Sequence, residues 1–287
     1  MKVWLNGTIC DEHEAVIPPT DHGFLYGMGL FETFRTYGGK PFLLERHMDR
    51  LSGGCEEMRI RYRPDAAAVR QAVEQLLEAS GLDDAYIRMS VSAGEGGLGL
   101  PGPEGYPNPN VCMMAKPLPP APAAAKALHR LALPRNSPEG MERRKSFHYM
   151  NNILGKWELA ARTTASNAEG LFLNSGGTVT EGIVSNLFFV SRGRLLTPSV
   201  DTGCLNGITR MAVLLLAEEA GMEVREGEYG WDELVRADEL FVTNSIQEIV
   251  PVQTLFDVRD KASAVWKDVP GPLTGMLQEA YRKMAER

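Results

Sequence analysis

The apolar positions of this chain change period from segment to segment, and the changes mark its elements. KVWLNGTI, residues 2–9, reads as an opening strand with an Asn-Gly turn signal inside it. FETFRTYGGKPFLL alternates on both sides of Gly38-Gly39 and reads as a hairpin. ERHMDRLSGGCEEM takes up helical spacing, with Gly53-Gly54 expected to end or kink the helix. DAAAVRQAVEQLLEASG is a clean amphipathic helix stopped by Gly81. AYIRMSVSAG and NVCMMAKPL return to the strand period. Strands and helices mixed in this way predict an α/β (α+β) fold with antiparallel pairing.

KPLPPAPAAAKALH has neither period and suits a linker. The expected organisation is an N-terminal α/β domain over 1–117, a linker over 118–127 and a C-terminal α/β domain over 128–287. The second part predicts a helix at NNILGKWELAARTTA, strands at AEGLFLN and LFFVSRGRLLTP, and a helix at TRMAVLLLAEEAG. DELFVTN reads as a strand running into a short helical start at SIQEI, and LTGMLQEAYRKMAER as the closing helix.

A chain of 287 residues is long enough for two cores. Its net charge of −7, without any basic block, argues against nucleic acid as a partner, because phosphate neutralisation needs clustered Lys and Arg. Cys10, Cys55, Cys112 and Cys204 form no CxxC pair and the histidines no HxxxH spacing, so neither a disulfide framework nor a metal site is expected. MKVWLNGTICDEHEA lacks an apolar leader, and no apolar run is long enough to cross a bilayer. These features lead us to expect a reduced, cytoplasmic protein that takes a small-molecule substrate and has no membrane partner.

Candidate chemistry begins with a motif that fails. Gly94-Glu95-Gly96-Gly97-Leu98-Gly99 has the GxGxxG form, but LPGPEGYPNPN follows it and cannot start the helix that a dinucleotide site requires. DTGCLNGITRMAVLLL is different: Gly207, Ile208 and Thr209 open a strong helix, which is either an ordinary capped end or a cradle for an anion. In VTNSIQEIV, Ser245 and Glu248 have capping-box spacing, so Asn244 and Ser245 read either as a second cradle or as a second cap. Arg50 is either a counter-charge for such an anion or a solvated helix residue. Glu181, between TVT and LFFV, is a half-buried carboxylate that needs a partner: backbone N–H groups or a protonated ring nitrogen. Lys145, in RRKSFHYMNN, is a loop cation or a desolvated amine nucleophile, with Arg143 and Arg144 pushing its pKa down.

The blocks KSFHYMNN, TVTEGIVSN, LNGITR and VTNSIQEIVPV follow HGFLYGMGLFETFRTYGGKPFLLERHMDRL in that order. Over roughly Val3 to Val252 this resembles the class IV (fold-type IV) pyridoxal-phosphate enzymes, which include branched-chain aminotransferases, D-amino-acid aminotransferases and 4-amino-4-deoxychorismate lyases. The resemblance implies two α/β domains with pyridoxal 5′-phosphate at their interface, in a homodimer. By the same resemblance, Lys145 bonds covalently to the cofactor and Glu181 faces its ring nitrogen. Arg50, Gly207, Ile208, Thr209, Asn244 and Ser245 hold its phosphate, Leu205 packs on the ring, and Tyr149 stands near the phenolic oxygen.

Within the family, the D-amino-acid enzymes use a tyrosine hydroxyl and an arginine to hold the substrate carboxylate. This chain has Phe31 and Ala93 at the matching places. PRNSPEGMERRKSFHYMNN, SVDTGCLNGITR and TNSIQEIVP resemble the lyases of Gram-positive bacilli, while Met28 and His148 depart from patterns common in the family. The expected activity is therefore conversion of 4-amino-4-deoxychorismate to 4-aminobenzoate and pyruvate, for folate synthesis. Phe31, Thr33 and Arg35 would line the substrate pocket. The alternative is a class IV aminotransferase acting on branched-chain or D-amino acids.

Overall fold

A computed structural model describes residues 1–121 and 124–286; Pro122 and Ala123, within the expected linker, lie outside the described residues. The chain divides into two compact units. Unit 1 comprises residues 1–119 and 144–148, and unit 2 comprises residues 120–143 and 149–287.

Among the described residues, unit 1 holds β1 (Lys2–Leu5), β2 (Thr8–Asp11), α1 (His22–Tyr26), β3 (Gly29–Tyr37), β4 (Lys40–Pro41), α2 (Leu44–Glu57), α3 (Ala66–Ser80), β5 (Ala85–Ser92) and β6 (Asn110–Pro117). The strands form one antiparallel sheet in the order β2-β1-β6-β5-β3-β4. The opening segment is a hairpin rather than one strand, because Asn6 and Gly7 both take positive φ (49° and 97°), as the tightest hairpin turns require. Strand alternation sends Leu30 and Phe34 of β3, Ile87 and Met89 of β5, and Met113 of β6 to one face, where α2 and α3 cover them. Each such buried side chain contributes roughly 1.5–3 kcal/mol. Gly53-Gly54 neither ends nor kinks α2, which runs on to Glu57. Gly54 is there for packing: a Cβ on it would stand 2.8 Å from Cδ1 of Leu30.

Unit 2 holds β7 (Lys126–Arg130), α4 (Met150–Arg162), β8 (Ala168–Leu173), β9 (Val179–Gly182), β10 (Asn186–Ser191), β11 (Arg194–Pro198), α5 (Ile208–Glu219), β12 (Val224–Gly227), α6 (Trp231–Val235), β13 (Glu239–Asn244), β14 (Glu248–Phe256), β15 (Ala262–Val265) and α7 (Pro272–Ala285). Its sheet runs β12-β11-β10-β13-β14-β7-β8-β9, with β15 also on β14. The parallel neighbours are β11–β12, β14–β7 and β7–β8, the last joined through α4. β7 starts at Lys126, inside the stretch expected as linker, and buries that lysine against Glu169 of β8.

The short helix expected at SIQEI does not form. β13 and β14 are a hairpin in which Asn244 faces Glu248 across a three-residue loop, and Glu248 takes a φ of 63°. Asn244 dictates this: its Oδ1 accepts from the N–H groups of Ile246 (3.0 Å) and Gln247 (2.8 Å), a local turn that outcompetes a helical start.

Candidate active site

Unit 1 carries the lysine. Residues 144–148 lie antiparallel to the free edge of β3 at its N-terminal end: the N–H of Phe31 donates to the Lys145 carbonyl (2.9 Å), that of Phe147 donates to Gly29 (3.0 Å), and Leu30 faces Ser146. Cross-strand pairing puts Lys145 on the same face as Phe31, and its Nζ stands 4.6 Å from the Phe31 ring centre. Arg88, on β5, covers the same buried ring at 3.7 Å. Sequence reading had given Arg88 no role; the alternation of AYIRMSVSAG, which places it on the polar face with Ser90, was the available signal. Thr33 and Arg35 follow Phe31 on that face, with the Arg35 guanidinium 4.4 Å from the Tyr37 ring. A cavity of about 400 Å³ opens here, lined among others by Asp21, Phe24, Ser90, Ser92, Asn110 and Phe147.

On the opposite face of β3, Arg50 is not a solvated cation. Its Nε and Nη2 grip both oxygens of buried Glu32 (2.8 and 2.6 Å), and His47 Nδ1 lies 2.7 Å from the same carboxylate. Burial by itself would raise the Glu32 carboxyl, but Arg50 and His47 outweigh it and hold it down at about 2. Burial pushes the His47 imidazole below its ordinary value, against the pull of Glu32. Glu32 and His47, which sequence reading passed over, thus fix the orientation of Arg50.

Unit 2 carries the acid. Glu181, on β9, is fully buried rather than half-buried. Its Oε1 accepts from Arg135 Nε (2.8 Å) and stands 3.6 Å from Arg143 Nε, while its Oε2 accepts from the N–H of Leu205 (2.9 Å). Arg135 is in turn held by side-chain oxygens of Asn136, Asn151 and Asn152. Arg143 donates to the carbonyls of Gly203 and Asn136. The two cations expected to bear on Lys145 are therefore both paired, Arg143 with Glu181 and Arg144 with Glu57. Tyr149 stands at the N-terminus of α4, half-buried.

The α5 helix opens at Ile208, at the glycine-led turn expected to start it. Gly207 occupies the N-cap position with no side-chain cap, so the first N–H groups of the helix stay available. A Cβ on Gly207 would overlap Asn186 Oδ1, whose amide also holds the Leu205 carbonyl at 2.7 Å. The Thr209 hydroxyl is buried and has no hydrogen-bond partner among the described residues; the same holds for Thr243 on β13, across from Asn186. The second cradle is a hairpin loop, in which Asn244 is spent on the turn and Ser245 follows it. Among the described residues, no cluster could hold a metal ion and no helix could cross a membrane.

An orphaned buried hydroxyl beside uncapped N–H groups is a donor set lacking its acceptor, and a phosphate supplies one. A buried carboxylate suits a protonated ring nitrogen, and a half-buried lysine suits an aldehyde. Each of these groups, taken by itself, fits one part of pyridoxal 5′-phosphate, the cofactor of the pyridoxal-phosphate class of enzymes. Residues 29–255 match the amino-transferase class IV family, and the chain belongs to it; enzymes of this family depend on pyridoxal 5′-phosphate. The aminodeoxychorismate lyase of Bacillus subtilis (strain 168) is 37% identical over 284 residues, 98% of this chain and 94% of that protein. A Methanocaldococcus jannaschii protein with the provisional name branched-chain-amino-acid aminotransferase is 38% identical over 288 residues, 98% and 96% of the two chains. The crystal structure of 4-amino-4-deoxychorismate lyase from Pseudomonas aeruginosa superposes with a TM-score of 0.83 at 30% identity, covering 98% of each chain.

Proposed function

We propose that this chain is a lyase that converts 4-amino-4-deoxychorismate to 4-aminobenzoate and pyruvate. The observation that carries the reading is the β3 face: Phe31 offers no hydroxyl to an amino-acid carboxylate, yet two cations, Arg88 and Lys145, lie over its ring. With the Phe31 ring buried beneath it, Arg88 is left to offer its guanidinium to a carboxylate of a larger substrate, while Lys145 serves the amine chemistry. The likeness to the Bacillus lyase supports the same choice. The Methanocaldococcus relative supports the second reading, an aminotransferase using the same lysine.

When bound, pyridoxal phosphate supplies an aldehyde for the substrate amine and a protonated ring that draws electron density from the neighbouring carbon. The protein does the rest. The α5 N-terminus with Thr209 would hold the phosphate, a role this reading also gives to Arg50 and to Ser245. Glu181 would face the ring nitrogen, and Arg135 and the Leu205 N–H aim its carboxylate. Lys145 Nζ would hold the cofactor, and as a free amine it would take the proton from the amine-bearing carbon of the substrate and return one to the departing pyruvate carbon. Aromatisation of the ring supplies much of the driving force.

The chain works as a homodimer in this reading. The exposed apolar positions Met150, Ile153, Leu154 and Trp157, spaced along one face of α4, support that arrangement. The deciding experiment measures pyruvate release from 4-amino-4-deoxychorismate beside amino-acid/2-oxoacid exchange. Exchange without pyruvate release overturns the lyase reading in favour of the aminotransferase.

A further inference from the structure

The segment that carries Lys145 is seated by glycines, two of which the backbone does not require. Gly29 and Gly23 have ordinary φ, so any residue could adopt their conformation. Space decides instead. A Cβ on Gly29 would overlap the Phe147 ring, whereas a Cβ on Gly23 would first meet Ser92 Oγ and Asp21 Oδ1, with the ring next at 3.1 Å. The remaining glycine of HGFLYGMG, Gly27, does take a left-handed φ of 71°, and a Cβ there would come within 2.7 Å of His148. His148 Nε2 lies 3.3 Å from the Tyr26 carbonyl, so that nitrogen carries the hydrogen and donates to the C-terminal end of α1. The rings of Phe147 and His148 thus fill seats left by Gly29 and Gly27, with Gly23 beside the first, while two backbone hydrogen bonds clip the segment to β3.

We propose that Phe147 is a positioning residue for Lys145, with His148 as its auxiliary. This rests on the reading of Lys145 as the cofactor-bonding lysine. Phe147 and Lys145 point to the same face, one residue apart on either side of Ser146. With the ring seated on Gly29, the backbone at Lys145 cannot slide or roll along the β3 edge. Its side chain therefore leaves on the Phe31 face whether or not Nζ is bonded to the cofactor. A lysine that must let go and then move a proton gains from such a fixed root, because its amine stays near the atom it serves.

The test uses the whole protein, stripped of cofactor and then mixed with pyridoxal phosphate. Borohydride is added at timed intervals, and mass spectrometry counts the label on Lys145. Phe147→Ala is expected to slow labelling at least tenfold and, at turnover, to lower kcat more than it raises KM; Phe147→Leu should restore most of the rate. Gly29→Ala should slow labelling to a similar extent by unseating the ring. The double variant Gly29→Ala/Phe147→Ala should be no slower than Phe147→Ala, since the collision is gone. Labelling of Phe147→Ala at the wild-type rate overturns the proposal. So does a double variant whose losses multiply, because the two residues then act separately. If Phe147→Ala does not fold, Gly29→Ala and Phe147→Leu decide by the same readout. Absence of label on Lys145 in the wild-type protein would instead remove the cofactor-lysine reading beneath it.

Discussion

Glu32→Gln isolates one charge in the support of Arg50. The substitution keeps the shape of the side chain and its place between Arg50 and His47, and removes the anion. In the folded protein the Glu32 carboxyl is held down at about 2, against an ordinary 4.5. At about 1.4 kcal/mol per pH unit, that gap is worth about 3 kcal/mol of stability near neutrality. A depressed carboxyl contributes fully above 4.5, and its contribution fades as pH falls toward 2. The variant should therefore be about 3 kcal/mol less stable than wild type at pH 7, and the difference should close between pH 4.5 and 2. His47, whose pKa burial lowers, adds a decline to both proteins: the unfolded chain gains a proton as pH drops below 6.5, before the folded one does. Urea unfolding of both proteins at several pH values, followed by far-ultraviolet circular dichroism, separates the two effects. A wild-type-to-variant difference that stays constant down to pH 2 would refute the argument, because it would mean that packing and not charge was lost.

Thr209→Val should bind pyridoxal phosphate about tenfold more weakly, the loss of one hydrogen bond to a charged group. The cofactor-free protein should be no less stable, since the lost hydroxyl is buried without a partner among the described residues; fluorescence titration and thermal unfolding check the two halves. Arg135→Met strips Glu181 of its 2.8 Å partner and should cost about 3 kcal/mol, at the low end for a broken buried pair because Arg143 stays close. Adding Glu181→Gln should recover part of that loss, and simple additivity in the double-mutant cycle would contradict the coupling.

Local signals were legible where local physics decides. Gly81 ends α3 as its left-handed C-cap, as its place after the amphipathic run predicts, and Asp65 caps the other end. Lys145, Glu181 and the α5 N-terminus each left two readings open on local signals, and only the resemblance of the ordered motif blocks chose between them. Where tertiary contacts decide, the pattern misled. Gly53-Gly54 looked like a helix breaker until Leu30 was found packed on Gly54. Ser245-x-x-Glu248 had capping-box spacing, but Asn244 one residue earlier made a turn and β14 supplied a partner strand. Arg135, Arg143 and Glu32 were invisible as site residues because an arginine or glutamate in sequence carries no mark of burial. Only their partners, 15 to 60 residues away in the chain, give them their roles.

The lysine segment also has a consequence for how this chain can be cut. Residues 1–119 on their own would expose the backbone of Gly29–Phe31, an open strand edge with a donor and an acceptor ready for any passing peptide. Such a fragment should aggregate, or be rescued by a synthetic peptide spanning Arg143 to Met150. The boundary near Pro119 is thus a poor place to split or graft the protein. In engineering terms the N-terminal unit is a socket, and its plug is encoded 25 residues downstream of its last contiguous residue.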